Sequence, residues 1–87
     1  MRLIELIEHA SEWTGDDKTL YVARPWSCDA DAIIVSPATD TIEPLEQAGR
    51  RYDYFLETFI VQEVLYGLGG TAEQRCQRLI GYAENDA

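Results

Sequence analysis

The chain is poor in the residues that carry most protein chemistry. Its 87 residues include one histidine, two cysteines and seven lysines and arginines, against sixteen aspartates and glutamates. Two cysteines are too few for the dense disulfide pairing of small secreted domains. No apolar run approaches the roughly 20 residues that span a bilayer, and Glu5 and Glu8 interrupt the apolar core that a signal peptide would need. We therefore expect one cytoplasmic domain over residues 1–87 that contacts no membrane.

The shortage of basic residues gives the chain a formal net charge of −9. Sequence-independent affinity for nucleic acid comes from lysine and arginine neutralising phosphates, so direct nucleic-acid binding is disfavoured. Two interpretations of the acidity stay open: a solvated surface that keeps a small protein in solution, or a docking face for a basic protein partner. The candidate acidic face lies near the N-terminus and comprises Glu5, Glu8, Glu12, Asp16 and Asp17.

Apolar residues recur with a helical period in three segments, residues 3–13, 59–68 and 72–83. Thr58 is the predicted N-cap of the second helix, and Gly69 and Gly70 end it. Thr71 and Gln74 have the spacing of a capping box, in which each side chain accepts from the backbone N–H of the other residue. The sequence therefore predicts a helix at the start and two at the end.

Between these helices, β-favouring residues predict strands at 19–23, 32–36 and 52–57. The least defined stretch is 38–50, where Pro44 and Gly49 suggest a short helix over 45–48. The predicted fold class is α+β, a small antiparallel three-stranded sheet with helices packed on it. The predicted element order is α-β-β-(α)-β-α-α.

Alternation along the strands predicts an exposed apolar face. If the helices pack on the side of Leu20 and Tyr54, the opposite face carries other large side chains. A contiguous apolar patch usually marks an interaction surface, so we expect a homo-oligomer that covers it. The alternative is a monomer in which the first helix crosses to cover this face. The candidate interaction surface is Tyr21, Trp26, Ile33, Ile34 and Phe55.

Catalytic and metal-binding constellations are weak in this sequence. His9 has Glu5 and Glu12 at helical spacing, but a lone histidine among surface glutamates is a poor metal site. Asp29 and Asp31 are typical of a turn. The glycines of residues 67–70 follow a helix and lack the lysine of a phosphate-binding loop. We expect no metal, no cofactor and no catalytic residue, which disfavours an enzyme.

The two cysteines are expected to stay unpaired. Cys28 lies in a predicted loop beside aspartates whose charge disfavours the thiolate, so it is a poor nucleophile. Cys76 falls on the apolar stripe of the last helix and is most simply a small core residue. We therefore predict no structural disulfide between them.

The chain resembles a known group of proteins in the order of its segments. These are the first helix, the strand at 19–22, Trp26, the second strand, residues 54–58, residues 60–64 and the terminal residues 82–87. In this order the chain is similar to a family of short acidic bacterial proteins of unknown function, often orphan genes on mobile elements and gene cassettes. The resemblance covers most of the chain except 38–50. It implies an α+β fold and brings no activity or binding residues.

Three functional hypotheses remain open. The first is a noncatalytic protein-interaction module that self-associates, suggested by small size, aromatic content and missing catalytic groups. The second is an acidic inhibitor or immunity-type protein that blocks a basic enzyme or nucleic-acid-binding partner. The third is a small ligand-binding domain or enzyme with its site at a subunit interface.

Overall fold

The computed structural model describes residues 1–13, 18–35 and 44–86, with Asp86 described by its backbone only. Among these residues the protein has an antiparallel sheet of four strands in the order β2-β1-β4-β3. The predicted α+β class is confirmed, with one strand more than predicted. The elements are α1 (Leu3–Glu8), a short 3-10 helix (Ala10–Glu12), β1 (Thr19–Val22), β2 (Ala32–Val35), β3 (Leu45–Gln47), β4 (Arg50–Glu57), α2 (Thr58–Leu65) and α3 (Ala72–Asp86).

The additional strand lies where a short helix was predicted, and that prediction is wrong. Leu45–Gln47 pairs with the start of β4 in an antiparallel hairpin. Ala48 and Gly49 connect the two strands with φ of 54° and 76°. A two-residue turn with positive φ at both positions has the twist that a hairpin needs. A four-residue helix has too few hydrogen bonds to compete with this pairing.

A β-bulge in β4 decides which side chains face the helices. Leu20 pairs with Leu56 but Tyr21 pairs with Tyr54, so Phe55 is an extra residue in β4. Phe55 and Leu56 consequently both lie in the core on the helix side of the sheet. The predicted alternation, which placed Phe55 on the opposite face, is therefore wrong. Tyr54 likewise lies on the face opposite to the one predicted.

The main core lies between the sheet and the three helices of the described chain. Leu3, Val61 and Leu79, one from each helix, are fully buried against it. From the sheet, Leu20 and Phe55 are equally buried. Each such side chain contributes about 1.5–3 kcal/mol of burial free energy, which holds the helices on this face.

The helix starts agree in part with the predictions. The capping box of α3 is confirmed: Gln74 N donates to Thr71 Oγ1 at 3.1 Å, and Thr71 N donates to Gln74 Oε1 at 2.9 Å. Thr58 is the first residue of α2 rather than its N-cap, and its buried hydroxyl donates to the Lys18 carbonyl at 3.3 Å. The first predicted helix is shorter than expected, because α1 ends at Glu8 and a 3-10 helix follows.

The second face of the sheet carries a smaller apolar cluster. Tyr21, Ala23 and Tyr52 are buried in it. The edge strands β2 and β3 line one groove of about 410 Å³ through Ile33, Val35 and Leu45, so the sheet is strongly curled. Within the described ranges, no helix has the length and apolar character that a bilayer crossing requires.

Candidate functional site

A cleft of about 570 Å³ lies beside the end of β1, the start of β4 and the last turns of α3. Its walls carry charged and aromatic side chains. We call it the arginine cleft; it is lined by Arg24, Trp26, Arg51, Asp53, Tyr54, Ala83 and Glu84.

Trp26 forms the fixed wall of the arginine cleft. Its indole Nε1 donates to the Val22 carbonyl at 3.1 Å, which ties the loop after β1 back to the strand. The ring packs edge-on against Phe55, with 4.9 Å between ring centroids and an interplanar angle of 79°. Because Phe55 is fully buried, the core itself sets the position of the tryptophan ring.

Arg24 lies over the exposed side of that ring. Its guanidinium carbon is 3.6 Å from the Trp26 ring centroid, a cation–π contact. Its Nε donates to Asp53 Oδ2 at 3.2 Å, and its Nη1 is 4.0 Å from Glu84 Oε1. Contacts on three sides hold this guanidinium in one place, although 54% of its side chain is exposed.

Asp53 connects the two arginines of the cleft. Its Oδ1 accepts from Arg51 Nε at 3.1 Å while its Oδ2 accepts from Arg24. The Asp53 side chain is 20% exposed, whereas that of Arg51 is 67% exposed. Both arginines are therefore anchored through Nε. Arg24 Nη1 also faces Glu84, whereas the terminal nitrogens of Arg51 lie within ion-pair distance of no described carboxylate. Arginine forks presented in this way suit bidentate binding of a carboxylate or phosphate.

The lining of the cleft brings two arginines together with two carboxylates, Asp53 and Glu84, and Arg50 precedes one of the arginines in the sequence. Arg24, Arg50 and Arg51 are three of the seven lysines and arginines of a chain whose net charge is −9. Arg50 Nη1 lies 3.8 Å from Asp31 Oδ2. Hydrogen bonds from the Met1 amino group and from the Tyr52 hydroxyl hold the pKa of Asp31 below its usual range. The hydrogen bond between the Tyr52 hydroxyl and Asp31 also raises the pKa of Tyr52.

The five residues predicted as one interaction surface do not lie together. Tyr21 is buried on the second face of the sheet, with Ile33 beside it. Phe55 is buried in the main core, and Ile34 and Trp26 pack against that core. The bulge at Phe55 separates the set, because it moves this side chain to the helix side. Of the five residues, Trp26 lines the arginine cleft.

Sequence reasoning missed the other residues of the cleft. Two signals were present: an Arg-Arg pair at residues 50–51 in a chain with little basic charge, and an arginine two positions before Trp26. Neither signal shows that Asp53 joins Arg24 and Arg51, because that contact depends on the pairing of Val22 with Asp53 between β1 and β4.

The predicted acidic face is partly neutralised. Arg2 Nε donates to Glu5 at 3.0 Å and lowers the pKa of that carboxyl. His9 Nδ1 lies 3.0 Å from Glu12, and this hydrogen bond raises the pKa of His9. Glu8 is exposed. Asp16 and Asp17, the remaining members of this set, lie outside the described residues, and docking of a basic partner here stays a prediction.

The two cysteines meet in the main core as free thiols. The Cys28 thiol accepts from Gln77 Nε2 at 3.5 Å and lies 3.9 Å from the carbonyl oxygen of Glu73, which is one helical turn before Gln77 on α3. Burial, together with a hydrogen bond to Cys28, raises the pKa of Cys76. In the part of the chain that the structure describes, no three His, Cys, Asp or Glu side chains are grouped to hold a metal ion.

Comparison with protein-family models, with characterised proteins and with solved structures gives no match.

Proposed function

We propose that the protein is a noncatalytic interaction module whose arginine cleft binds a carboxylate-rich segment of a partner protein. The observation that carries this proposal is the sharing of Asp53 by Arg24 and Arg51, at 3.2 and 3.1 Å, beside the ring of Trp26. An internal carboxylate thus fixes two cations through Nε and leaves the terminal nitrogens of Arg51 uncovered.

The composition of the cleft fits protein recognition. Tryptophan, tyrosine and arginine are the residue types that contribute most often to the binding energy of protein interfaces, and Trp26, Tyr54 and two arginines line this cleft. Their anchoring also lowers the conformational entropy that long side chains lose on binding. A carboxylate-bearing chain would therefore meet a surface that is already ordered.

The same residues offer little for catalysis. The lining residues of the cleft include no serine, cysteine or histidine. Both carboxylate oxygens of Asp53 already accept hydrogen bonds from the two arginines, so neither is placed to take a proton from a substrate. The net charge of −9 opposes any polyanionic ligand at long range, so a carboxylate segment would have to be held by the local guanidinium groups of Arg24 and Arg51. These features favour a binding role over an enzymatic one.

The test uses Trp26 as its own reporter. In a Trp13→Phe background, the fluorescence of Trp26 is followed while a glutamate-rich hexapeptide is added, with a glutamine-rich hexapeptide as the uncharged control. We expect a saturable change for the glutamate peptide that weakens with added salt. Arg51→Gln should weaken binding about tenfold, because it removes a charge-assisted hydrogen bond.

The matched control is Arg78→Gln, which removes the same charge from an exposed position of α3 outside the cleft. It should bind the peptide as the parent protein does. Equal binding of the glutamine peptide, or an Arg51→Gln variant that binds normally, would contradict the proposal.

A second candidate function is self-association through β2. This strand, Ala32–Val35, is an apolar, largely half-buried edge of the sheet. Its outer side is occupied at the start, where Ala32 N donates to the Met1 carbonyl at 2.7 Å, and beyond that residue it pairs with no strand of the described chain. Exposed apolar edges are templates for pairing with another chain. Light scattering after size exclusion should then give a dimer at tens of micromolar, and Ile33→Lys should give a folded monomer. A wild-type monomer at that concentration would exclude this candidate.

The control for the edge test is Glu46→Lys on β3, the opposite edge strand. Glu46 lines the groove that β3 shares with β2, but the substitution leaves the backbone edge of β2 unchanged and should leave the dimer intact. Loss of the dimer in this variant alone would move the interface to the other edge.

A further inference from the structure

A second cavity, separate from the arginine cleft, lies between the 3-10 helix, α2 and α3. Its volume is about 180 Å³, and it shares no lining residue with the arginine cleft. One water molecule occupies about 30 Å³ in the liquid, so the cavity has room for a small organic molecule. It is lined by Ala10, Ser11, Gln62, Leu65, Tyr66 and Arg75.

Arg75 is the charged group of this cavity. Its Nε is buried and has no hydrogen-bond partner within residues 1–13, 18–35 and 44–86. Among the described residues, no carboxylate lies within ion-pair distance of it. An arginine stays charged under all ordinary conditions, and Arg75 as a whole is half-buried. Its Nε has no surface that a ligand could reach, so an anion in the cavity would bind the terminal nitrogens of the guanidinium, which no described carboxylate pairs.

The position of Arg75 in its helix adds to this imbalance. It is the fourth residue of α3, within the first turn, where the helix dipole presents its positive end. A cation is unfavourable at this end of a helix. Although the chain is acidic overall, no described carboxylate lies close enough to Arg75 to compensate. An anion bound in the cavity would pair with the guanidinium charge and would also interact favourably with the positive end of the helix dipole.

The other walls of the cavity indicate which group is attached to the anionic group of the ligand. Ala10 and Leu65 are buried and apolar. Gln62 Nε2 already donates to the carbonyls of Ala10 and Trp13, at 2.7 and 3.1 Å, so this wall is fixed. The Ser11 hydroxyl can donate to a second anion oxygen. We propose that the cavity binds a short aliphatic monocarboxylate, with its carboxylate on Arg75 and its chain against Ala10 and Leu65.

Tyr66 lies at the open side of this cavity. It is a large aromatic residue that follows α2, and it is 90% exposed. A bound aliphatic chain would give the ring an apolar neighbour. The resonances of Tyr66 should therefore report on occupancy, together with those of Ser11 and Gln62.

The experiment titrates isotope-labelled protein with sodium butyrate, followed by amide and aromatic resonances. Butyramide tests the need for charge, and sodium sulfate tests whether any anion suffices. We expect saturable shifts at Ser11, Gln62 and Tyr66 with butyrate and none with butyramide. Arg75→Gln should weaken butyrate binding by about tenfold or more, because one charge-assisted hydrogen bond is lost. Arg78→Gln, on the same helix, should bind as wild type.

Three results would overturn the proposal. They are equal binding of butyramide, unchanged affinity in a folded Arg75→Gln variant, and sulfate binding as tight as that of butyrate. A circular dichroism spectrum of each variant establishes that it is folded. Because Nε of Arg75 has no partner to lose in the part of the chain that the structure describes, we expect both arginine variants to fold.

Discussion

Truncation of Phe55 tests the position of the bulge, on which the arrangement of the sheet depends. Phe55 is 0% exposed and packs against Trp26 from within the main core. Removing a buried phenylalanine side chain costs about 3–5 kcal/mol, through lost burial and the cavity left behind. A domain of this size has a total stability of about 5–15 kcal/mol, so Phe55→Ala should lose a large share of it.

Phe59 provides the matched control, because the chain has two phenylalanines and this one is 37% exposed on α2. Phe59→Ala should cost no more than about 1 kcal/mol. Urea unfolding followed by tryptophan fluorescence gives both free energies of unfolding. At about 4–8 °C per kcal/mol for a small domain, the midpoint of thermal unfolding should fall by at least about 12 °C in Phe55→Ala.

A smaller loss of unfolding free energy in Phe55→Ala than in Phe59→Ala would refute the bulge. If Phe55 followed simple alternation, it would lie on the face opposite the helices. There it would lie beside the smaller cluster of Tyr21 and Tyr52 and out of contact with Trp26, so its truncation would leave the fluorescence of Trp26 in the folded protein unchanged. Unchanged Trp26 fluorescence, or a cost for Phe55→Ala no greater than that for Phe59→Ala, would contradict the register of β1 with β4.

Three further predictions concern thiols, acid and charge. Cys28 and Cys76 should resist a thiol reagent in the folded protein, because both are buried and burial raises the pKa of Cys76. On unfolding without reductant, two free thiols should react. Recovery of no thiol would mean that the two cysteines form a disulfide. The lowered pKa of Asp31 means that its contribution is present above the ordinary aspartate pKa and is lost as the pH falls through the folded value. Tyr52→Phe should therefore reduce the loss of stability in acid seen by circular dichroism, and an unchanged acid profile would argue against that hydrogen bond. Arg75→Gln should leave stability unchanged or raise it by about 0.5 kcal/mol in urea, since a cation in the first turn opposes the helix dipole; a loss above about 1 kcal/mol would reveal a partner for the guanidinium.

The helices and most strands could be predicted because their signals are local. The capping box at Thr71 and Gln74 is a contact between residues three positions apart, so sequence spacing alone specifies it. The hairpin at Ala48 and Gly49 was missed because the same glycine ends a helix or forms a turn. Only the pairing of Leu45–Gln47 with β4 decides between these outcomes.

The arrangement of the sheet faces and the cleft could not be predicted from local patterns. A bulge shifts alternation by one residue, and nothing in the sequence around Phe55 marks it. The contact of Arg24 with Asp53 joins residues 29 positions apart and requires the register of β1 on β4. The unpaired Nε of Arg75 is also a tertiary property, since the sequence shows only an arginine near a helix start.

The most direct test of the arginine cleft uses the two indole N–H resonances of the protein. Trp26 Nε1 lies at the cleft, and Trp13, outside it, serves as an internal control. Adding the glutamate-rich hexapeptide should shift the Trp26 indole resonance and the amides of Arg24, Arg51 and Tyr54 with one binding constant, while the Trp13 indole resonance stays in place. A peptide that shifts neither indole, or that shifts Trp13 and leaves Trp26 unchanged, would contradict the proposed binding site.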